Sequence, residues 1–240
     1  IVDRCILLED DQIPSVSYFR FCAELLEKYK DDMRIECICG FNHLGVYEDV
    51  DSDYFFSRQG SIWGIATWRN RYMQYGDFSY GESAYTMNLL KRRTKHNRIA
   101  WRRLNAYAKQ STYEGHVAGN EFWIEFNMYS QNRLQIIPQK NMISNIGATG
   151  NSSHSAEINK LPRGIRKVFN SKVYDVDFPL KINDYVIPDV KYEKKRNRIM
   201  GYNYSIINFY RKFERFVRIL VSGDMMLLKK KLKRNRQIEK

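Results

Sequence analysis

The opening stretch of the chain, residues 1–14, IVDRCILLEDDQIP, decides the fold. Its apolar run at residues 5–8 leads directly into three consecutive carboxylates, Glu9, Asp10 and Asp11. A strand buried in a parallel sheet is apolar along its whole length and presents polar groups at its carboxyl end. The sequence therefore predicts a buried parallel strand over residues 1–8 with an acidic tip.

A helix and a second strand follow this first strand. Pro14 and Ser15 open a helix that is predicted to reach about Lys30, and residues 34–39, RIECIC, form a strand that Gly40 ends. Strand, helix and strand fit into about the length that a βαβ crossover needs. The predicted fold class is α/β, with a mixed sheet flanked by helices.

The rest of the chain is predicted to contain helices, short strands and loops in no regular alternation. We predict a loop over 41–60, a turn and helix over 62–75, helices over 83–110 and 117–131, short strands at 134–138 and 142–146, a Gly/Asn/Ser-rich loop over 147–160, an irregular stretch, and amphipathic basic helices over 202–236. The four cysteines lie in apolar or helical stretches, which is typical of free thiols in a reducing compartment. No run of 18 apolar residues occurs.

The positive charge is concentrated at one end of the chain. The net charge is +13, and residues 191–240 contribute +12 of it through sixteen Lys and Arg against four Asp and Glu. Within this part, Phe209, Phe213, Phe216 and Leu220 recur at helical spacing. The pattern fits a helix on an anionic membrane surface, and equally a helix that packs on the main domain with a solvated basic side.

The acidic triplet is the first candidate for chemistry. Three adjacent carboxylates at the end of a buried strand repel one another, and a divalent cation would stabilise them. Mg²⁺ and Mn²⁺ prefer oxygen ligands and leave coordination positions for substrate phosphates. The alternative is that Asp10 and Asp11 lie near a helix N-terminus, where negative charge is favourable.

Three stretches together resemble one family. Residues 7–21, LLEDDQIPSVSYFRF, residues 54–69 with the core IWGIATWR, and residues 136–147, which end in SNIG, resemble successive segments of bacterial GT-A glycosyltransferases related to N-acetylglucosaminyltransferase I. The matches occur in the family's order over about residues 5–155. The resemblance implies a partial GT-A fold over residues 1–160 and a basic, irregular and then helical C-terminal extension over 161–240. The nucleotide-binding part that precedes the acidic motif in the family is expected to be missing.

The resemblance also implies roles for individual residues. Glu9, Asp10 and Asp11 would approach the nucleotide-sugar donor, and Asp11 would bind Mn²⁺ or Mg²⁺. Glu125, with Glu121 as the second candidate, would be the general base. Trp63, Gly64 and Trp68 would bind the acceptor. His154 would be a further ligand of the metal or of a phosphate.

The expected reaction is transfer of a sugar from a nucleotide diphosphate donor to a glycan or lipid-linked acceptor, with inversion, in bacterial surface polysaccharide synthesis. The expected location is the cytoplasm, with the extension at 205–240 as a possible contact to the membrane. A metal-dependent nucleotidyltransferase would use the same carboxylates on another leaving group. A nucleic-acid-binding protein would account for the charge, but it predicts basic and aromatic residues interleaved on one surface rather than in a tail, so no nucleic-acid partner is expected.

Overall fold

A mixed five-stranded sheet with helices packed around it organises the chain. A computed structural model describes residues 2–72, 77–110, 112–113, 116–148 and 158–223. The strands in these residues are β1 (Arg4–Leu7), β2 (Gln12–Pro14), β3 (Ile35–Cys39), β4 (Tyr54–Ser57), β5 (Ile65–Trp68), β6 (Thr112–Tyr113), β7 (His116–Val117), β8 (Leu134–Pro138) and β9 (Ile143–Asn145). The helices are α1 (Tyr18–Lys28), α2 (Arg69–Tyr72), α3 (Ala84–Arg93), α4 (Arg98–Gln110), α5 (Asn120–Ser130), α6 (Arg163–Arg166), α7 (Val190–Met200) and α8 (Ser205–Val221).

The central sheet has the strand order β1-β5-β3-β8-β4. Strands β3 and β8 are parallel, whereas β5 runs antiparallel to both of its neighbours and β4 runs antiparallel to β8. The pair β2 and β9 forms a separate two-stranded antiparallel sheet. The prediction of a mixed sheet flanked by helices is therefore confirmed.

The first strand differs from the prediction. We expected a buried parallel strand, but within the described residues β1 lies at the edge of the sheet, is partly exposed, and pairs only with β5, in the antiparallel direction. Strands β1 and β3 still run in the same direction, with α1 connecting them and β5 inserted between them. The acidic turn consequently follows an edge strand rather than an interior one.

One further element was predicted wrongly, and two others pair with strands that the sequence did not indicate. Residues 65–68, expected to lie in the turn and helix at 62–75, form the fully buried strand β5, and α2 follows it directly. The two short strands predicted at 134–138 and 142–146 are confirmed, and β8 joins the central sheet whereas β9 pairs with β2. In both cases the partner strand is distant in sequence, so local pattern could not identify it.

The main hydrophobic core lies between the central sheet and α1, and it continues beyond residue 160. Its buried members include Tyr18 and Phe21 of α1 and Ile38 of β3, together with Leu180 and Tyr192 from the C-terminal part. The division at residue 160 therefore does not separate two cores. A smaller aromatic core joins α4 and α5 to a 3₁₀ turn at Phe78–Glu82.

Two general expectations can be compared directly with the structure. All four cysteines are free thiols, as predicted. None of the described helices is both long and apolar enough to cross a bilayer.

Candidate functional site

The acidic turn is connected to the strand segment around Gly64 through one glutamine. Gln12 is buried, and its Nε2 donates a hydrogen bond to Glu9 Oε2 at 2.8 Å. Its Oε1 accepts from the backbone N–H of Gly64, also at 2.8 Å. The amide side chain therefore places the turn after β1 against the end of the loop that precedes β5.

Asp11 is held by the segment that ends in SNIG. Asn145 Nδ2 donates to Asp11 Oδ1 at 3.0 Å, and the N–H of Ile146 donates to the Asp11 carbonyl at 2.9 Å. A Cβ atom on Gly147 would lie 1.9 Å from Asp11 Oδ2, so only glycine permits this close approach. Two stretches separated by more than 130 residues thus meet at one carboxylate.

The carboxylates of the turn are electrostatically crowded. The pKa of Glu9 is raised above its usual range, mainly by burial and next by the negative charge of Asp11; the hydrogen bond from Gln12 opposes this shift. Glu121 and Asp10 raise the pKa of Glu9 further. The ionised form of Glu9 is therefore disfavoured in this turn, and a nearby cation would stabilise it.

The influence of Glu121 on Glu9 connects α5 to the acidic turn. Helix α5 follows Gly119 and buries Phe122 and Phe126, four residues apart, in the smaller core. Glu121 and Glu125 share the adjacent side of the helix at the same spacing. The structure thus brings both candidate bases to the side of the molecule that carries the acidic turn.

Arg103 of α4 lies between the two candidate bases. Its guanidinium contacts Glu125 Oε2 at 2.5 Å and Glu121 Oε1 at 3.5 Å. Burial raises the pKa of Glu125 above its usual range, whereas Arg103 acts in the opposite direction. These three side chains line a narrow cleft of about 50 Å³ together with Ser61 and Ile62.

The three candidate acceptor residues have different surroundings. The ring of Trp63 is half-buried and packs against Phe41 and Phe169, with centroid distances of 4.7 and 5.3 Å. Gly64 has φ +60° and its surroundings leave no room for a side chain. Trp68 is buried in β5, and its Nε1 donates to a carbonyl of α1 at 3.0 Å. A buried indole with a satisfied N–H offers no surface to an acceptor, so the acceptor role predicted for Trp68 has no support in this arrangement.

The described residues contain no group of three or more His, Cys, Asp or Glu side chains that could hold a metal ion. His154, predicted as a metal or phosphate ligand, lies outside the described residues. Asp11 nevertheless fits an ion such as Mg²⁺, which uses one or two carboxylates and takes its other ligands from water and substrate phosphates. The crowded charge on Glu9 is consistent with such an ion.

Three residues of the site were not identified from the sequence: Gln12, Arg103 and Asn145. Gln12 and Asn145 lie inside the motifs that carry the resemblance. Their hydrogen bonds to Glu9 and Asp11 could not be predicted from the sequence. Arg103 lies among the many basic residues of the predicted helix 83–110, and no spacing distinguished it. Its function depends on the packing of α4 against α5.

No protein-family model matches this chain, and no curated protein matches it either.

Proposed function

We propose that this protein is a metal-dependent GT-A glycosyltransferase that transfers a sugar from a nucleotide diphosphate to a glycan or lipid-linked acceptor. One observation carries the proposal: three separated stretches that resemble this family converge on a single edge of the fold. Gln12 connects the acidic turn to Gly64, and Asn145 connects Asp11 to the SNIG segment. The role in bacterial surface polysaccharide synthesis and the location in the cytoplasm rest on the same resemblance.

The donor would bind at the acidic turn. Asp11 would hold Mn²⁺ or Mg²⁺, while Glu9 and Asp10 would contact the nucleotide sugar. A divalent ion at this place supplies positive charge that stabilises the departing diphosphate. The hydrogen bond from Asn145 and the close approach of Gly147 fix the orientation of the Asp11 carboxylate.

The acceptor would be activated at α5. In the proposed reaction the acceptor hydroxyl oxygen forms a bond to the anomeric carbon, and the bond from that carbon to the diphosphate oxygen breaks. The hydroxyl proton goes to the carboxylate of Glu125, and attack opposite the leaving group inverts the configuration. Burial raises the pKa of Glu125, which strengthens it as a base. Glu121, one helical turn before Glu125, is the second candidate, and its carboxylate lies 3.5 Å from the same Arg103 guanidinium.

The donor proposal is tested by incubating the full-length protein with UDP- and GDP-sugars, Mn²⁺ and mixed glycan acceptors. We expect release of nucleoside diphosphate that stops with a chelator and with Asp11→Asn. Asp31→Asn, a matched change at an exposed carboxylate in the turn after α1, should retain the activity. Release of pyrophosphate would indicate a nucleotidyltransferase instead, and activity that survives both Asp11→Asn and the chelator would refute the metal site.

The base is tested by the pair Glu125→Gln and Glu121→Gln. Loss of a general base typically lowers kcat by about 10²–10⁴-fold, and we expect this loss for Glu125→Gln alone. If Glu121→Gln has the larger effect, the base is Glu121. A product with the anomeric configuration of the donor would contradict the single-displacement reaction for either residue.

A further inference from the structure

Helix α8 (Ser205–Val221) turns its apolar side away from the protein. At 100° per residue, eight hydrophobic side chains fall within an arc of about 140°. All of them are exposed, by 39–83%. They are Ile206, Phe209, Tyr210, Phe213, Phe216, Val217, Leu220 and Val221, and we call this set the outer face of α8.

The opposite side of α8 makes the contacts to the rest of the chain, and most of them are polar. The guanidinium of Arg211 donates to the carbonyl of Ile199 at the end of α7. The carboxylate of Glu214 accepts from the N–H of Arg163 at 3.0 Å. Ile219 is the buried apolar residue on this side. Rotating the helix to bury its outer face would break these contacts, so its orientation is defined.

This orientation is the reverse of the one expected for an amphipathic helix of a protein in water. An amphipathic helix on a globular protein normally buries its apolar side on the core and leaves charged residues in solvent. A continuous exposed apolar surface of this kind marks a place of interaction. The outer face extends along a helix of 17 residues, about 25 Å at 1.5 Å per residue. Its partner must therefore present an extended apolar surface.

Charge determines which partner fits. Residues 205–223 contain four Lys and Arg against one Glu, and the segment 229–236, KKKLKRNR, adds six basic residues. A second copy of the chain would carry the same net positive charge in this part of its sequence and would be repelled. An anionic bilayer instead offers apolar acyl chains beneath negative headgroups, and basic clusters beside amphipathic helices bind such surfaces.

Lys212 illustrates how both requirements are met. It is exposed and lies about 40° around the helix from Phe216, at the border of the outer face. A lysine at such a border can lay its aliphatic stem along apolar surface while its ammonium reaches the headgroups. The outer face, with Lys212 at its border, thus has the arrangement of a helix that lies in the plane of a membrane interface.

We propose that α8 lies in the interface of an anionic membrane, with its outer face toward the acyl chains and the body of the protein outside the lipid. This inference goes beyond the proposed transfer reaction and does not depend on it. Asp11→Asn, which should abolish sugar transfer, should leave membrane binding unchanged.

The test is flotation of the full chain with vesicles of phosphatidylcholine alone and with added phosphatidylglycerol. We expect binding to the anionic vesicles that weakens at high salt, because screening reduces the headgroup attraction. The double variant Phe209→Ser/Phe213→Ser should bind at least about tenfold more weakly, since two apolar groups no longer enter the lipid. Both positions are exposed, so the thermal unfolding of the variant should match that of the wild type.

Tyr185→Ser is the matched control, because Tyr185 is as exposed as Phe209 but lies outside α8. It should bind like the wild type. The proposal is overturned if the wild type does not float with anionic vesicles, if it binds neutral vesicles equally well, or if Tyr185→Ser loses as much binding as the double variant. A dimer that Phe209→Ser/Phe213→Ser dissociates, without any binding to vesicles, would assign the outer face to a second copy.

Discussion

Alanine at Gly64 should destabilise the protein through two separable effects. Gly64 has φ +60°, a left-handed conformation that costs a residue with a Cβ about 1–2 kcal/mol. The new Cβ would also lie 2.6 Å from two side-chain carbons of Ile143 and 3.1 Å from the Tyr18 hydroxyl. Both neighbours are fully buried, and crowding of this kind costs about 1–3 kcal/mol.

Two other glycines isolate these effects. Gly45 has φ +76° and no heavy atom within 4 Å of a built Cβ, so alanine there adds backbone strain alone. Gly40 does not need the left-handed conformation, but its Cβ would lie 2.5 Å from Ile143 and 2.6 Å from Tyr18, so alanine there adds crowding alone. Alanine also restricts the unfolded chain, which offsets about 0.4–1 kcal/mol. The expected net losses are about 1 kcal/mol for Gly45→Ala, about 1.5 for Gly40→Ala and about 3 for Gly64→Ala.

The measurement is urea unfolding followed by far-UV circular dichroism for the three variants and the wild type. The midpoints should shift in the stated order while the slope against denaturant stays constant. Equal losses for Gly45→Ala and Gly64→Ala would refute the reasoning, because they would show that Ile143 and Tyr18 move aside without cost. A Gly64→Ala protein of wild-type stability but impaired acceptor use would instead favour a direct role of this position in binding.

Three further predictions concern the site. Trp68→Phe should lower the free energy of unfolding by about 1–3 kcal/mol, because a buried carbonyl of α1 loses its donor, and should leave KM for the acceptor unchanged. Burial and Asp11 hold the pKa of Glu9 above its unfolded value, so ionised Glu9 costs stability once pH rises through its folded pKa. Glu9→Gln should therefore stabilise the protein near neutral pH and have little effect at about pH 4. Arg103→Met should raise the pKa of Glu125 and move the acid limb of the pH–rate profile to higher pH.

Each of these has a contrary outcome. A raised KM with unchanged stability in the Trp68 variant would place that indole at the acceptor. The same gain in stability at both pH values for the Glu9 variant would separate the effect from ionisation. An unmoved acid limb in the Arg103 variant, with kcat reduced equally at all pH values, would show that Glu125 is not the ionising base.

The spacing of apolar residues was sufficient to predict some helices and strands without knowledge of their neighbours in the fold. Residues 18–28 repeat apolar side chains at helical spacing and residues 35–39 are largely apolar, so the helix α1 and the strand β3 were both predicted. The helix begins at Tyr18 rather than at Pro14, because Gln12–Pro14 form β2 and pair with β9. The covered side of α1 is set by packing: Tyr18 and Phe21 are buried, whereas Phe19 is exposed. Which side of a helix is covered depends on the sheet beneath it.

Other elements required partners that are distant in sequence. The stretch IATW of β5 could begin a helix or form a strand, and it is a strand because it pairs with both β1 and β3. Strand β4 lay in a region predicted as loop, and it is defined by its pairing with β8, about 80 residues further along. Helix α7 was not predicted, and it is anchored by Tyr192 in the main core and by the ion pair of Glu193 with Arg58.

The sequence by itself determined where the acidic turn lies, which residues follow it, and that the positive charge belongs to the C-terminal part, because these depend only on the order of residues. Only the tertiary structure decided that β1 is an edge strand, that Asn145 and Gly147 hold Asp11, and that Arg103 lies between Glu121 and Glu125. Periodicity showed that α8 is amphipathic but not that its apolar side faces outward. The spacing of residues predicts which side chains lie on the same face of a helix or strand. What covers that face is determined by the packing of segments that are far apart in sequence.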